Sequence, residues 1–226
     1  TIMQRILEKE QKIDVQALKS VLLRLKTTRE HFRFPCTNEQ AFDIMKAAYI
    51  AEVEFRRRKY IEDKNVISNL KRVSEFLTDN GNKFGIMLCG VCGNGKTTML
   101  YAFQSALNFL ISSNYVSRDF GIRIIDAKDL LHYGKDFEKF SQIKRNSMIG
   151  IEDLGREETG VLDYGNLLNP VIDLLEYRYN CQLFTFITTN LTPKDIRDKY
   201  GKRIADRFNE MLEVVVFENE TYRNLK

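Results

Sequence analysis

The run Gly90-Val91-Cys92-Gly93-Asn94-Gly95-Lys96-Thr97 has residue types and spacing suited to holding phosphate. It matches the pattern G-x-x-x-x-G-K-[ST] at every fixed position, with an apolar strand pattern before it and an amphipathic helix pattern after it. Glycines without side chains let backbone N–H groups curl around a β-phosphate, and the start of the following helix adds the positive end of its dipole. Lys96 brings a mobile positive charge to the β- and γ-phosphates, and the Thr97 hydroxyl is a ligand for Mg²⁺. Gly90, Gly93, Asn94, Gly95, Lys96, Thr97 and Thr98 are therefore expected to bind a nucleotide, with ATP and Mg²⁺ as the cofactors. Because Cys92 lies inside this loop, the Cys89-x2-Cys92 spacing is not read as a zinc site; no second CxxC or His pair follows it.

Hydrolysis also needs a carboxylate on the metal side and a group that orients water. The segment Met148-Ile149-Gly150-Ile151-Glu152-Asp153 has that form, a buried strand ending in two acids. At the carboxyl end of a parallel strand they would face the crevice where ligands bind. Glu152 is expected on the metal side and Asp153 at the attacking water. Asn190, ending the run Leu183 to Asn190, either closes a turn before Thr192-Pro193 or hydrogen-bonds the γ-phosphate or the water. Arg203 and Arg207 lie one helical turn apart. They are either a solvated face paired with Asp206 and Glu210, or cations reaching a neighbouring subunit's γ-phosphate. Arg223, after Tyr222, is either a terminal residue or a second phosphate sensor.

The elements that would position these groups follow from periodicity. Strands are expected at Phe84 to Cys89, Gly121 to Ile125, Met148 to Ile151, Leu183 to Thr188 and Val214 to Phe217. Helices are expected at Lys96 to Ile111, Lys128 to Tyr133, Leu167 to Tyr179, Lys194 to Lys199 and Lys202 to Leu212. The alternation implies an α/β fold, with a five-stranded, mostly parallel sheet between helices. Ahead of it, Val15, Leu18, Val21, Leu22 and Leu25 recur at helical spacing, as do Phe42, Met45, Tyr49 and Val53, and then Val66, Leu70, Val73 and Leu77. His31 to Thr37 reads as a connector, and Asp79-Asn80-Gly81-Asn82 as a turn.

The chain has 226 residues and a net charge of +4. Residues 1–83 hold 17 basic and 12 acidic groups, a surplus of 5, and the remainder holds 18 and 19. The longest apolar run is too short for a transmembrane helix, which needs about 18 residues. Four cysteines without a pairing pattern suit a reducing compartment, and no signal peptide is visible, so a cytoplasmic location with no membrane partner is expected.

Taken together, residues 81–226 resemble the ATPase domain of bacterial helicase loaders of the DnaC/DnaI type, and of the related IstB-like ATPases that assist transposases, a branch of the AAA+ P-loop proteins close to DnaA. The resemblance rests on GVCGNGKTT, IRIIDAKDLL, IEDLG, ITTNL, KRIADRF and the final YR. It implies that Lys96 and Thr97 serve nucleotide and Mg²⁺, that Glu152 and Asp153 are the acidic pair, and that Asn190 is the first sensor. It further implies that Arg207 is an arginine finger with Arg203 beside it, and that Arg223 is the second sensor. Two features depart from the family pattern. Glu152 stands where Asp is usual, and the front third holds no Cys/His cluster like that of the DnaI-type amino-terminal domain.

The division expected is 1–64 as a helical region for partner or DNA contact and 65–226 as the AAA+ domain with its leading helix. Arg56-Arg57-Arg58-Lys59 is either a solvated face neutralised by Glu52, Glu54, Glu62 and Asp63, a contact for DNA phosphates, or a docking surface for an acidic helix. Family members bind ATP between subunits and assemble into spirals. The resemblance thus implies an ATPase that loads a replicative helicase and meets single-stranded or duplex DNA; the alternative is a transposase helper. A small-molecule P-loop kinase is disfavoured by the Arg203/Arg207 helix and the missing Arg-rich lid.

Overall fold

The computed structural model describes residues 14–25, 31–158, 161–163, 166–219 and 221–222. The chain divides into two compact units, Thr1–Glu30 and His31–Lys226. In the first, helix α1 (Val15–Leu25) starts at Asp14, whose carboxylate accepts from the N–H groups of Gln16 and Ala17 at 2.9 and 3.0 Å. Its residues Val15, Leu18, Val21 and Leu22 are exposed.

The second unit opens on a segment that sequence pattern reads as a connector and the structure turns into core. Phe32 and Phe34 are buried, and the Phe34 ring stacks on Phe103 with centroids 5.9 Å apart. Helix α2 (Asn38–Phe55) begins at a capping box in which Thr37 and Gln40 satisfy one another's backbone N–H groups. Helix α3 (Lys64–Thr78) is capped by Asp63. Both are built into the same apolar cluster as the later helix α4 (Lys96–Ser112): Ala41, Met45 and Tyr49 share it with Val66, Leu70, Val73, Met99, Leu100 and Phe103. The boundary expected between residues 64 and 65 therefore falls inside a packed body. The compact units divide between Glu30 and His31.

The sheet contains β1 (Gly85–Gly90), β2 (Ile122–Asp126), β3 (Met148–Leu154), β6 (Phe184–Thr189) and β7 (Leu212–Phe217), in the order β2-β3-β6-β1-β7. Every pairing in it is parallel. Such a sheet is covered on both faces, which explains why every residue of β6, its three threonines included, and all of β1 but Gly90 are buried. Between the strands lie α4, α5 (Ala127–Gly134), α6 (Phe137–Arg145), α7 (Pro170–Asn180), α8 (Pro193–Tyr200) and α9 (Lys202–Met211).

Three elements differ from the sequence expectation. Helix α6 buries only Phe140 and Ile143, too sparse a stripe to stand out by period. A hairpin of β4 (Val161–Asp163) and β5 (Asn166–Leu168) has strands of three residues, and it occupies Leu167, where a helix was expected to begin. That helix starts at Pro170, with Asn169 accepting from the Ile172 N–H at 3.2 Å. Among the described residues no helix is long and apolar enough to cross a membrane.

A candidate nucleotide-binding site

β1 delivers the phosphate loop and α4 receives it. Gly90 and Gly95 have φ of 144° and 100°, backbone that a residue with a β-carbon rarely adopts. Space forbids one as well: a β-carbon on Gly90 would lie 2.5 Å from the Phe217 carbonyl oxygen, and one on Gly95 the same distance from the Tyr49 hydroxyl. The loop is braced from outside. Asn94 donates to the Phe217 carbonyl at 3.0 Å, Asn219 donates to the Asn94 carbonyl at 3.0 Å, and the Tyr222 N–H donates to the Gly93 carbonyl at 3.0 Å. The Tyr222 hydroxyl in turn donates to Asp63, the α3 cap, at 2.6 Å. The Asn94 side chain thus serves as a brace. The Lys96 ammonium donates to the carbonyls of Gly90 and Val91, both at 2.7 Å, and to Asn94 Oδ1 at 3.0 Å. Burial lowers its pKa, and the nearby charge of Asp153 opposes that shift.

The acidic pair ends β3 at an irregularity. The register between β3 and β6 shifts between Ile151 and Leu154, and Asp153 takes φ 55° while its N–H donates to Thr188 Oγ1 at 2.9 Å. A bulge of this kind re-aims side chains at the end of a strand. The Asp153 carboxylate is held by Arg156 at 2.6 Å. Glu152 accepts from the hydroxyl of Tyr101, one helical turn beyond Thr97 on α4, at 3.2 Å. The Arg56 guanidinium lies 5.5 Å over the Tyr101 ring.

A cavity of about 860 Å³ opens above the loop. Gly93, Asn94, Gly95, Lys96, Thr97, Thr98, Glu152, Asp153 and Asn190 all line it, so the residues expected from sequence to handle phosphate converge. Gly90 starts the loop beneath. Tyr49, Val53, Tyr60, Ile61, Val66 and Tyr222 contribute an aromatic and aliphatic wall to the same cavity, in which the Tyr49 and Tyr60 rings meet edge to face at 6.3 Å. Phosphate donors beside an apolar wall suit a ligand with a flat base and a polyphosphate tail. Hard oxygen donors from Thr97 and Glu152 fit Mg²⁺, which usually keeps waters and substrate phosphates as its other ligands.

Four residues arrive without having been expected there. Arg56, Arg57, Arg58 and Lys59 line the same cavity. Their order in sequence carries no sign of it, because the turn after α2 decides where they point. Tyr101 was legible in hindsight as the residue four after Thr97. Arg156, Tyr49 on α2 and Tyr60 in the link after it had no local signal.

Arg203 and Arg207 lie elsewhere. Both pair with Glu176, at 3.2 and 2.7 Å, and Arg207 also covers the Tyr179 ring at 4.9 Å. The Arg203 side chain is 72% exposed and that of Arg207 13%. The acids expected to pair with them are used by others: Asp206 by Arg197 at 3.5 Å, and Glu210 by the Tyr179 hydroxyl. Arg223 lies outside the described residues.

No protein-family model matches the sequence, and no curated protein matches it. Solved structures do. The DnaC helicase loader, 23% identical, aligns at a TM-score of 0.52 over 70% of this chain and 93% of its own. DnaI, 20% identical, aligns at 0.52 over 70% and 87%. The chain has the AAA+ P-loop fold. A third structure with this AAA+ fold, AMPPCP-bound DnaA from Aquifex aeolicus, is 18% identical and aligns at 0.50 over 71% of this chain and 49% of its own. At these identities the likeness is one of fold. In the AAA+ frame, the Glu152–Asp153 strand lies beside the Asn190 strand, and the phosphate-loop strand lies on that strand's other side.

Proposed function

We propose that this chain binds and hydrolyses ATP and acts in DNA replication as a helicase loader in the cytoplasm. The observation that carries the reading is the convergence of the phosphate loop, Glu152, Asp153 and Asn190 on one cavity with an apolar wall. The likeness to the DnaC helicase loader favours the helicase-loading role, and the AMPPCP-bound DnaA match supports a nucleoside triphosphate as ligand. Lys96 and the loop N–H groups would hold the β- and γ-phosphates, and Thr97 and Glu152 would hold Mg²⁺, which supplies charge neutralisation when bound. Asp153 would orient the attacking water once Arg156 shares it, and Asn190 would bond the γ-phosphate. Hydrolysis would be completed between subunits by Arg207, with self-association into an oligomer or spiral. A hexameric replicative helicase and single-stranded or duplex DNA would be the partners.

Two measurements test this. Lys96→Ala should abolish ATP binding in calorimetry while the thermal midpoint holds; unchanged affinity would remove the phosphate-loop reading. A pull-down offering a hexameric helicase and a transposase should retain the helicase. Retention of the transposase alone would assign the chain to the IstB-like role.

A further inference from the structure

The chain's one run of four consecutive cations, Arg56 to Lys59, ends α2 at the rim of the phosphate-loop cavity. The acids near it in sequence are largely committed to other groups. Glu52 takes Arg56 at 2.8 Å and the Ser105 hydroxyl at 2.8 Å, Glu62 takes Lys46 at 2.7 Å, and Asp63 caps α3 and accepts from Tyr222. Among the described residues, Arg57, Arg58 and Lys59 make no ion pair. Arg57 also sits at φ 55°, just past the end of α2, where helices favour glycine. Its N–H bonds the Glu54 carbonyl at 2.8 Å and that of Arg58 bonds Val53 at 3.2 Å, so the chain reverses there instead of running on into solvent.

The ends of the run fix its direction. Arg56 lies over Tyr101, whose hydroxyl reaches Glu152 at the acid-pair side of the cavity. Tyr60 packs against Tyr49, whose hydroxyl abuts Gly95 of the phosphate loop. Arg57, Arg58 and Lys59 therefore lie between a contact to the acidic pair and a contact to the phosphate loop, alongside the path a polyphosphate would take over Lys96. The cavity's other cations are already engaged, Lys96 by loop oxygens and Arg156 by Asp153.

We propose that Arg57, Arg58 and Lys59 form a phosphate clamp within the same chain: a bound nucleoside triphosphate draws the link between α2 and α3 onto its phosphates, and the link distinguishes triphosphate from diphosphate. This rests on the nucleotide reading above. It gives the basic run a ligand inside its own unit, where sequence pattern alone left a solvated face, a contact for DNA phosphates or a docking surface for an acidic helix.

The test compares the full chain with Arg57→Gln/Arg58→Gln/Lys59→Gln by calorimetric titration with AMPPCP and with ADP, thermal midpoints being matched. The variant should bind AMPPCP at least about tenfold more weakly and lose less for ADP, because charge-assisted contacts to the last phosphate are the ones removed. A wild-type ratio of the two affinities overturns the clamp. So does a variant that binds both nucleotides normally but loses single-stranded DNA, which would make the run a nucleic-acid contact. Trypsin supplies a second readout on the unaltered protein: AMPPCP should protect the bonds after Arg57, Arg58 and Lys59 more than ADP does, and equal cleavage overturns the proposal. If the wild type and Lys96→Ala alike bind no nucleotide, the nucleotide reading fails and the clamp with it. Normal binding by the wild type beside an unaffected triple variant removes the clamp alone.

Discussion

Among the described residues, Arg178 heads the fully buried side chains in size, and no carboxylate is its partner. Its guanidinium donates to Thr185 Oγ1 at 2.8 Å, to the carbonyl of Asn146 at 2.8 Å and to that of Phe184 at 2.5 Å. Burial pulls its pKa below the ordinary arginine value. A planar fork with five donors can join three segments at once, here α7, β6 and the residues before β3. Replacement by Met leaves those acceptors dry and unpaired, each worth about 1–3 kcal/mol. Arg178→Met should therefore lower stability by about 3 kcal/mol in urea unfolding, while AMPPCP affinity of the folded fraction stays put. A loss below about 0.5 kcal/mol would mean that the carbonyls find other donors. Lys96 is a contrasting buried cation: its partners are loop oxygens on the wall of an open cavity, so phosphate can compete for it.

At the scale of elements, α2 and α3 are a supporting wall of the phosphate-loop cavity. Ala41 and Met45 are fully buried, and Tyr49 stands against the phosphate loop itself. A chain beginning at residue 65 should lose its cooperative thermal transition, and one beginning at His31 should keep it, as followed by circular dichroism. The sequence was legible where pattern and chemistry are local. The phosphate loop, the strand ending in Glu152 and Asp153, and the helix of Arg203 and Arg207 each announce themselves within a dozen residues. What it hid was tertiary. Phe32 and Phe34 lie in a proline-bearing connector by every local sign, yet the core they enter is supplied by Phe103 and Phe184, far along the chain. Arg56 to Lys59 read as an outward charge run because nothing nearby in sequence reveals that the left-handed turn at Arg57 sends them over the cavity.

For the whole molecule, the question is how one copy would complete another. Arg207 is held by Glu176 and Tyr179, so service to a neighbouring subunit requires trading that carboxylate for phosphate. Arg207→Ala should leave AMPPCP affinity intact and remove the part of ATP turnover that rises with protein concentration. Turnover that keeps its full concentration dependence would exclude Arg207 as the shared cation. The topology sets a different constraint, one of time. Among the described residues, the strand that carries the phosphate loop pairs with β6 and β7 alone: Gly85 faces Thr185 on one side and Leu212 on the other. During synthesis β1 therefore waits about a hundred residues for its first neighbour, and closing contacts over such distances is the slow part of folding. A nascent chain that stops before Phe184 holds every residue of the phosphate loop and no strand to keep it in place.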